Sequence, residues 1–446
     1  MNLQRRRQLQ LGGAALVVSS SSCAGWFDSA PKPVELRPAR AVVWKDFLGV
    51  NAQFQWVPPE LARKQIDSLK ALGLNWVRLG IHWMLIEPQE GQFKLNDIDR
   101  MMALVKQTGL QSITGVVGSP PFASSGPKGD RYSDKFPPKD PKVFAQRMVM
   151  LAQRYPQVDV WQIWNEPNIP GFWYPKADPE GYAKLLAPSV VALRATAPSK
   201  PIAMAGMAYY SQMYGRDGLM LEAMGKLGAY GLDIIAAYHP YTAVPEGSSE
   251  SERDFLQHAP FMHTWLRAAG VKQIWATEWG WSSYDGPKEE QPIIGELGQA
   301  DYTLRRLALM AALDYDRIFL FTLADLDARA GVRDRRYGLL RENGDPKPVY
   351  KALASFLSVC GPRIEPDAPP RIEGGAPKGL ISIGWKRPDG RKLWMVWADK
   401  PVTVVLPGVR GGTLYQPLQG TQSALKAGAS GLSVPVTAAL QLLVLG

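Results

Sequence analysis

Two glutamates stand at the ends of apolar runs, each wrapped in tryptophan: Glu166 in Trp161-Gln162-Ile163-Trp164-Asn165-Glu166-Pro167-Asn168, and Glu278 in Ile274-Trp275-Ala276-Thr277-Glu278-Trp279-Gly280-Trp281. One such carboxylate alone is ordinarily a solvated surface group. A pair is different, because Trp is costly on a surface and both glutamates have it close by in the chain. Two carboxylates facing each other across a cleft supply what glycosidic cleavage needs: one protonates the leaving oxygen while the other attacks the anomeric carbon or activates a water. The residue types leave open which glutamate does which.

For the pair to meet, the runs that carry them must be strands ending on one face. From about Phe47 to Phe356, short apolar runs alternate with helical patterns, the rhythm of parallel βα units. The spacing predicts strands over Phe47–Asn51, Trp76–Gly80, Gln111–Gly118, Val158–Asn165, Pro201–Gly206, Asp233–Tyr238, Gln273–Glu278 and Arg317–Thr322. Asp140-Pro141 and Asp178-Pro179 each place an N-cap acceptor before a proline whose fixed φ suits a first helical turn. Apolar stripes follow both, Val143, Phe144, Met148 and Leu151 after the first, Tyr182, Leu185, Leu186, Val190 and Leu193 after the second. Eight such units predict an α/β fold, a (β/α)8 TIM barrel, with its active site at the C-terminal strand ends. Glu166 would end the fourth strand and Glu278 the seventh. An open doubly wound sheet is the competitor, and no Gly-rich phosphate fingerprint follows the first strand to support it.

Past Gly361, Pro and Gly punctuate short strands: Leu380–Trp385 and Lys392–Trp397 around the turn Arg387-Pro388-Asp389-Gly390, then Val402–Leu406, Leu432–Val436 and Leu440–Leu445. These predict a small, sandwich-like all-β domain over 361–446. The barrel spans 47–360, and an extended segment over 25–46 is placed to pair with the β domain. Trp385, Trp394 and Trp397 alternate within strands and read as core before they read as a sugar-binding face.

The string Trp164-Asn165-Glu166-Pro167-Asn168, paired with Thr277-Glu278-Trp279-Gly280, resembles the signature of the clan A glycoside hydrolases, retaining (β/α)8 enzymes. From roughly Arg40 to the C-terminus, through Gly171-Phe172-Trp173 and Tyr238-His239-Pro240-Tyr241 among others, the chain looks like family 39 related endoglycosidases encoded with a neutral biofilm exopolysaccharide of mannose, rhamnose and glucose. The resemblance implies that Glu166 is the general acid/base and Glu278 the nucleophile, with the carboxyl groups about 5 to 5.5 Å apart. It implies that Asn165 hydrogen-bonds the sugar 2-hydroxyl and that Arg78, ending the second strand, keeps Glu278 ionised. Past the sixth strand it calls for a group touching the nucleophile. Tyr241 is preferred there, with His239 reading first as a satisfied core histidine and His82 as a weaker candidate still. One departure is Phe319-Leu320-Phe321 at the end of the eighth strand, where many clan members floor the central sugar site with Trp. Sugar rings present apolar C–H faces, which makes Phe172, Trp173 and Tyr174 after one glutamate, and Trp279, Trp281 and Tyr284 after the other, candidate subsite walls.

Composition bounds the rest. Lys and Arg exceed Asp and Glu, 51 to 41, but Arg5, Arg6 and Arg7 contribute three of the excess charges, and no block of five or six like charges occurs. No nucleic-acid partner is expected. The 15 Trp, 16 Tyr and 13 Phe are more aromatic surface than a core alone uses, which favours flat ligands. Two cysteines, Cys23 and Cys360, build no disulfide framework. Asp325-Leu326-Asp327, without clustered His or Cys, reads as surface carboxylates, so no metal and no organic cofactor is expected.

Residues 1–24 read as an export signal: the basic cluster Arg5-Arg6-Arg7, an apolar stretch from Leu9 to Val18, and small residues to Ala24. Arg6-Arg7-Gln8-Leu9 fits a twin-arginine signal as well as an ordinary one. Cys23 offers a lipoprotein acceptor, although Ser20 stands where Leu is usual. The expected protein is a retaining, endo-acting glycoside hydrolase, periplasmic or secreted, anchored if Cys23 is lipidated. It would be a monomer that meets polysaccharide, with contact to the inner membrane or a secretion complex left open. Two other readings share its residues: a transglycosylase of polymer assembly, which needs the same two glutamates, and a non-catalytic polysaccharide-binding protein, which needs only the aromatic platform.

Overall fold

The computed structural model describes residues 31–210, 218–247, 253–287 and 292–446. The export signal and Cys23 lie outside them. Among the described residues no helix is long and apolar enough to cross a membrane. Two short strands, β1 (Val34–Leu36) and β2 (Val42–Val43), precede β3 (Leu48–Asn51), β4 (Trp76–His82), β5 (Gln111–Val117), β6 (Val160–Ile163), β7 (Ile202–Met204), β8 (Met207–Tyr210), β9 (Ala236–Tyr241), β10 (Ile274–Ala276) and β11 (Arg317–Leu320). From β3 onward these pair in parallel in the order β7-β6-β5-β4-β3-β11-β10-β9-β8. β7 and β8 are halves of one barrel strand, interrupted at Ala205-Gly206. The ring closes where Ala203 bridges Ile235, with the Met204 N–H donating to the Ile235 carbonyl at 3.0 Å. The result is a (β/α)8 barrel.

Helices cover the strands where the sequence caps them. Asp140 accepts from the Lys142 N–H at the start of helix Pro141–Arg154, and Asp178 from the Gly181 N–H at the start of helix Pro179–Thr196. Strand ends differ from expectation at two places that matter. The sixth barrel strand, β9, runs on to Tyr241, so His239 and Tyr241 project from regular strand. β6 stops at Ile163, because Trp164 and Glu166 take left-handed backbone, φ 73° and 39°.

The N-terminal half of the barrel is plugged. Trp76, Ile113, Val160, Ala203, Ile235, Trp275 and Phe319 fill it as one buried layer. Trp76 meets Trp275 edge-on at 6.0 Å, and the Arg317 guanidinium lies 3.6 Å from the Trp76 ring centroid. Gly49 makes room for this layer, since a Cβ there would sit 2.6 Å from the Phe319 ring. With apolar groups packed below, polar inward-facing side chains collect at the other end.

The C-terminal domain comprises β12 (Arg363–Pro366), β13 (Leu380–Lys386), β14 (Lys392–Ala398), β15 (Val402–Leu406), β16 (Gly411–Gln416), β17 (Thr421–Lys426), β18 (Leu432–Val436) and β19 (Gln441–Leu445). One sheet runs β17-β16-β19-β14-β13-β12-β2, with β1 alongside β13 in parallel register Val34 to Ile381; β15 and β18 form a separate pair. Alternation along β14 sorts its two faces. Leu393, Met395 and Trp397 join the core shared with the barrel, and Trp394, Val396 and Ala398 pack with β15 and β18. Trp385, Trp394 and Trp397 are all fully buried. Trp397 reaches across the domain junction, its Nε1 donating at 2.8 Å to Glu246 Oε1, which Arg305 also holds at 2.9 Å.

Trp397→Ala should therefore empty a large cavity at the junction and remove a donor from buried Glu246, costing about 3–5 kcal/mol. Calorimetric unfolding should show a melting temperature lower by several degrees; an unchanged value would mean that the two domains do not depend on this contact.

Candidate active site

The fourth barrel strand ends in a backbone contortion. Left-handed φ at Trp164 and Glu166 costs about 1–3 kcal/mol each for non-glycine residues, and the surroundings over-determine it. The Trp164 N–H donates to the Val116 carbonyl and the Glu166 N–H to the Gly206 carbonyl, both at 3.0 Å. The Trp164 indole is buried against Phe144 and Trp173 and donates to the Phe172 carbonyl at 3.0 Å. Asn165 and Glu166 are thereby delivered to the barrel mouth from a backbone with little freedom.

Arg78, at the middle of β4, is the centre of the polar layer. Its Nη1 donates to Glu278 Oε1 at 2.6 Å and to Asn51 Oδ1 at 2.8 Å, its Nη2 to Asn165 Oδ1 at 2.8 Å, and its Nε to Gln162 Oε1 at 2.8 Å. Asn51 in turn donates to the Thr277 carbonyl at 3.1 Å, and Gln162 to the Met204 carbonyl at 3.1 Å. The Tyr241 hydroxyl donates to Glu278 Oε2 at 3.1 Å. Burial raises the Glu278 pKa, but the fields of His239 and Arg78 and the hydrogen bonds from Arg78 and Tyr241 outweigh it, and the carboxyl is held below the usual range.

Glu166 is held differently. Its Oε1 lies 2.8 Å from His239 Nδ1, and His239 Nε2 lies 2.9 Å from Thr277 Oγ1. His239 is thus satisfied and buried, yet it touches one glutamate directly and stands 3.8 Å from the other. Gly206 permits this, because a Cβ there would collide with the His239 ring and Thr277 Oγ1. One carboxylate oxygen each from Glu166 and Glu278, with a His239 nitrogen, all fall within 4.8 Å of one another. This is the one group of three potential metal donors among the described residues, and its oxygens are already in hydrogen bonds with Arg78, Tyr241 and His239. Asp325 and Asp327 do not converge on a common point: Asp325 pairs with Lys347 and Asp327 with Arg329.

The aromatic walls are not the expected ones. Trp173, Trp279 and Trp281 are at most 2% exposed and do not line the cleft. Trp173 is wedged edge-on between Trp164 and Tyr182, and the Trp281 indole is turned inward to donate to the Thr242 carbonyl at 3.0 Å. These tryptophans are core, filling the space behind the strand ends. Tyr284 is half-buried away from the cleft, and Tyr174 stacks on Phe136. Phe172 does line the cleft, about 350 Å³ in volume, with Trp56, His82, Phe321, Tyr337, Arg329, Arg333 and Asp334. Trp56 and the charged residues were not foreseen. Trp56 follows the first barrel strand closely enough to have been found by the reasoning applied to the aromatic residues after Glu166 and Glu278; the loop after β11 gave no such signal.

Arg78→Met should move the titration of Glu278 to higher pH, because it removes a positive charge and a hydrogen bond from the ionised form. Carboxyl ¹³C NMR of glutamate-labelled protein reads this directly, and an unmoved Glu278 resonance would refute the role given to Arg78.

The family model for cellulase (glycosyl hydrolase family 5) matches residues 36–305. A beta-galactosidase of Xanthomonas manihotis is 33% identical over 70 residues, a segment covering 16% of this chain and only 12% of that protein. The fold is similar to that of a family 39 glycoside hydrolase from Bacteroides cellulosilyticus, at a TM-score of 0.68 and 18% identity over 92% of this chain and 81% of the other. A family 39 enzyme from Xanthomonas axonopodis gives 0.61 at 17% identity over 93% and 97%, and a family 30 endoxylanase from Clostridium papyrosolvens 0.60 at 10% over 94% and 99%. These structures share the barrel and the appended β domain's extent with the chain, which by the span its model matches belongs to the cellulase family, glycosyl hydrolase family 5.

Proposed function

We propose that this protein is a retaining, endo-acting glycoside hydrolase that cleaves a neutral, mannose-containing, Psl-like biofilm exopolysaccharide by double displacement. Glu278 is the nucleophile and Glu166 the acid/base. The observation that carries the reading is the unequal pairing of two glutamates whose carboxyl oxygens come within 4.8 Å, Glu278 with Arg78 and Glu166 with His239. An oxygen pair this close suits direct attack, for which the carboxyl groups stand about 5 to 5.5 Å apart, better than the spacing of about 6.5 Å or more of an inverting enzyme.

The steps follow from the partners. Glu278, ionised and turned by Arg78 and Tyr241, attacks the anomeric carbon while Glu166 gives its proton to the departing oxygen. Once the glycosyl-enzyme forms, Glu278 carries no charge, and Glu166 as carboxylate takes a proton from the water that breaks the ester. Asn165, oriented by Arg78, is placed to hydrogen-bond the sugar 2-hydroxyl, a contact that strengthens as positive charge develops on the ring. Phe321, Trp56 and Phe172 line the cleft and offer apolar surface to the faces of a sugar ring.

A neutral polymer suits the remaining charges. Arg329 is paired with Asp327 through bonds of 2.9 Å and 3.0 Å, and Arg333 with Asp334 at 3.3 Å, so that the cleft outside the catalytic centre presents aromatic faces and internally balanced charge. Export to the periplasm or beyond, with Cys23 as the site of any lipid anchor, and action as a monomer complete the proposal.

Purified mannose-rich exopolysaccharide incubated with wild type should yield oligomers by size-exclusion chromatography and mass spectrometry, and none with Glu278→Gln. An intact polymer with wild type would remove the substrate assignment, and products longer than the starting chain would mark transglycosylation.

Glu166→Ala should lower turnover of the unactivated polymer by about 10²–10⁴-fold. Azide should restore cleavage of an activated aryl glycoside by this variant, giving the glycosyl azide; failure of azide to do so would withdraw the acid/base role.

A further inference from the structure

Two buried charges outside the catalytic centre take no part in the reaction described above. Lys347 exposes none of its side chain and Asp325 only 5%, and they pair at 3.0 Å. Removing such a pair from water is expensive, so the groups it binds are informative. Lys347 Nζ also donates to Ser283 Oγ at 2.8 Å and to the Arg336 carbonyl at 3.0 Å. Asp325 Oδ1 accepts from the Gly338 N–H at 2.8 Å. Residue 338 has to be glycine, since a Cβ would collide with the Asp325 nitrogen and the Leu340 carbonyl.

The Arg336 carbonyl belongs to the peptide unit before Tyr337, and the Gly338 N–H to the peptide unit after it. The ion pair therefore grips the backbone on both sides of one residue. Tyr337 is buried, and its ring stands edge-on to Tyr241 at 6.3 Å and 84° and to Phe321 at 5.4 Å and 73°. Tyr241 is the phenol on Glu278, and Phe321 lines the cleft.

We propose that Lys347 and Asp325 are positioning residues for the nucleophile: by clamping the chain on either side of Tyr337, they fix the ring that sets Tyr241 on Glu278 and Phe321 beneath the sugar. The inference rests on the hydrolase reading for its effect on rate, and on geometry alone for its effect on Glu278. The charged or titratable groups facing Glu278 are Arg78 on β4, Glu166 after β6, and His239 and Tyr241 on β9. Of these, Tyr241 is the one whose ring packs on Tyr337.

The test uses Asp325→Ala, Asp325→Asn, Tyr337→Leu and the double variant Asp325→Ala/Tyr337→Leu, with turnover of a dinitrophenyl glycoside followed across pH. Asp325→Ala should lower kcat/KM by about ten- to a hundredfold, the scale of a small misplacement at a reacting centre. The acid limb should move to higher pH, because loosening the Tyr241 hydrogen bond destabilises the Glu278 carboxylate. Asp325→Asn keeps an acceptor for Gly338 and Lys347 and should recover most of the loss. In the Tyr337→Leu background, Asp325→Ala should add little, since the path is already cut. An acid limb that stays in place, or effects that multiply in the double variant, would reduce the pair to a fold-stabilising role and overturn the proposal. Should Asp325→Ala fail to fold, Tyr337→Leu alone must shift the limb. If wild type turns over no glycoside, the hydrolase reading fails, and the Glu278 carboxyl resonance still decides the inference: it should titrate at higher pH in Tyr337→Leu than in wild type.

Discussion

A guanidinium buried at the mouth of a barrel must be surrounded by acceptors, and much of this site is the consequence of meeting that demand for Arg78. Its donors are taken by Glu278, Asn51, Asn165 and Gln162, which come from or follow the seventh, first, fourth and again fourth strands. Leaving any of these donors without a partner would incur a desolvation penalty larger than the hydrogen bond is worth. The requirement ties three other barrel strands to one rigid planar fork. Because the fork cannot bend, the Glu278 carboxylate and the Asn165 amide are fixed relative to each other.

The rest of the barrel works to keep that layer dry beneath and tight around. The plug of Trp76, Trp275 and Phe319 closes the N-terminal end, so the polar groups above it find their partners in one another and in the backbone carbonyls of the strands. Two glycines mark where backbones and rings come too close for a side chain: Gly49 against Phe319, and Gly206 against His239. The left-handed residues Trp164 and Glu166 are where the tightness becomes strain. Their backbone cost is met by the indole of Trp164, packed and hydrogen-bonded behind the strand end.

That same indole explains what the sequence could and could not convey. Periodicity and caps located the eight barrel strands, since parallel strands buried on both faces leave continuous apolar runs. The Asn165-Glu166 and Glu278 strand ends were legible because carboxylates interrupting such runs stand out. The role of the surrounding tryptophans was not, because a Trp beside a strand end looks the same in sequence whether it faces a sugar or fills the space behind a strained turn. Trp173 does the second, and Trp279 and Trp281 are buried beyond the end of the seventh strand. His239 was hard to place for a related reason: its satisfaction by Thr277, which suits a core histidine, is also what orients it toward Glu166. The loop after β11 was least legible of all. Arg329, Arg333 and Asp334 look like ordinary surface charge until the barrel brings them over the cleft.

The difference between the two glutamates is finally one of partner chemistry rather than of position. Both sit at the same mouth, and the distance between them does not tell one from the other. Arg78 cannot give up its proton, so the carboxylate it holds stays an anion and a hydrogen-bond acceptor. His239 has two ring nitrogens that can each donate or accept, and Thr277 on its far side can donate or accept in turn. A carboxyl beside such a chain can hold its proton in one step and lose it in the next without leaving a buried group unpaired. The roles proposed above follow from these partners: a glutamate on the arginine is poorly suited to act as an acid, and one on the imidazole lacks a fixed charge to keep it an anion. The two environments are therefore set from other strands than those that carry the glutamates: an arginine on β4, three strands from Glu278, and a histidine on β9, two barrel strands from Glu166.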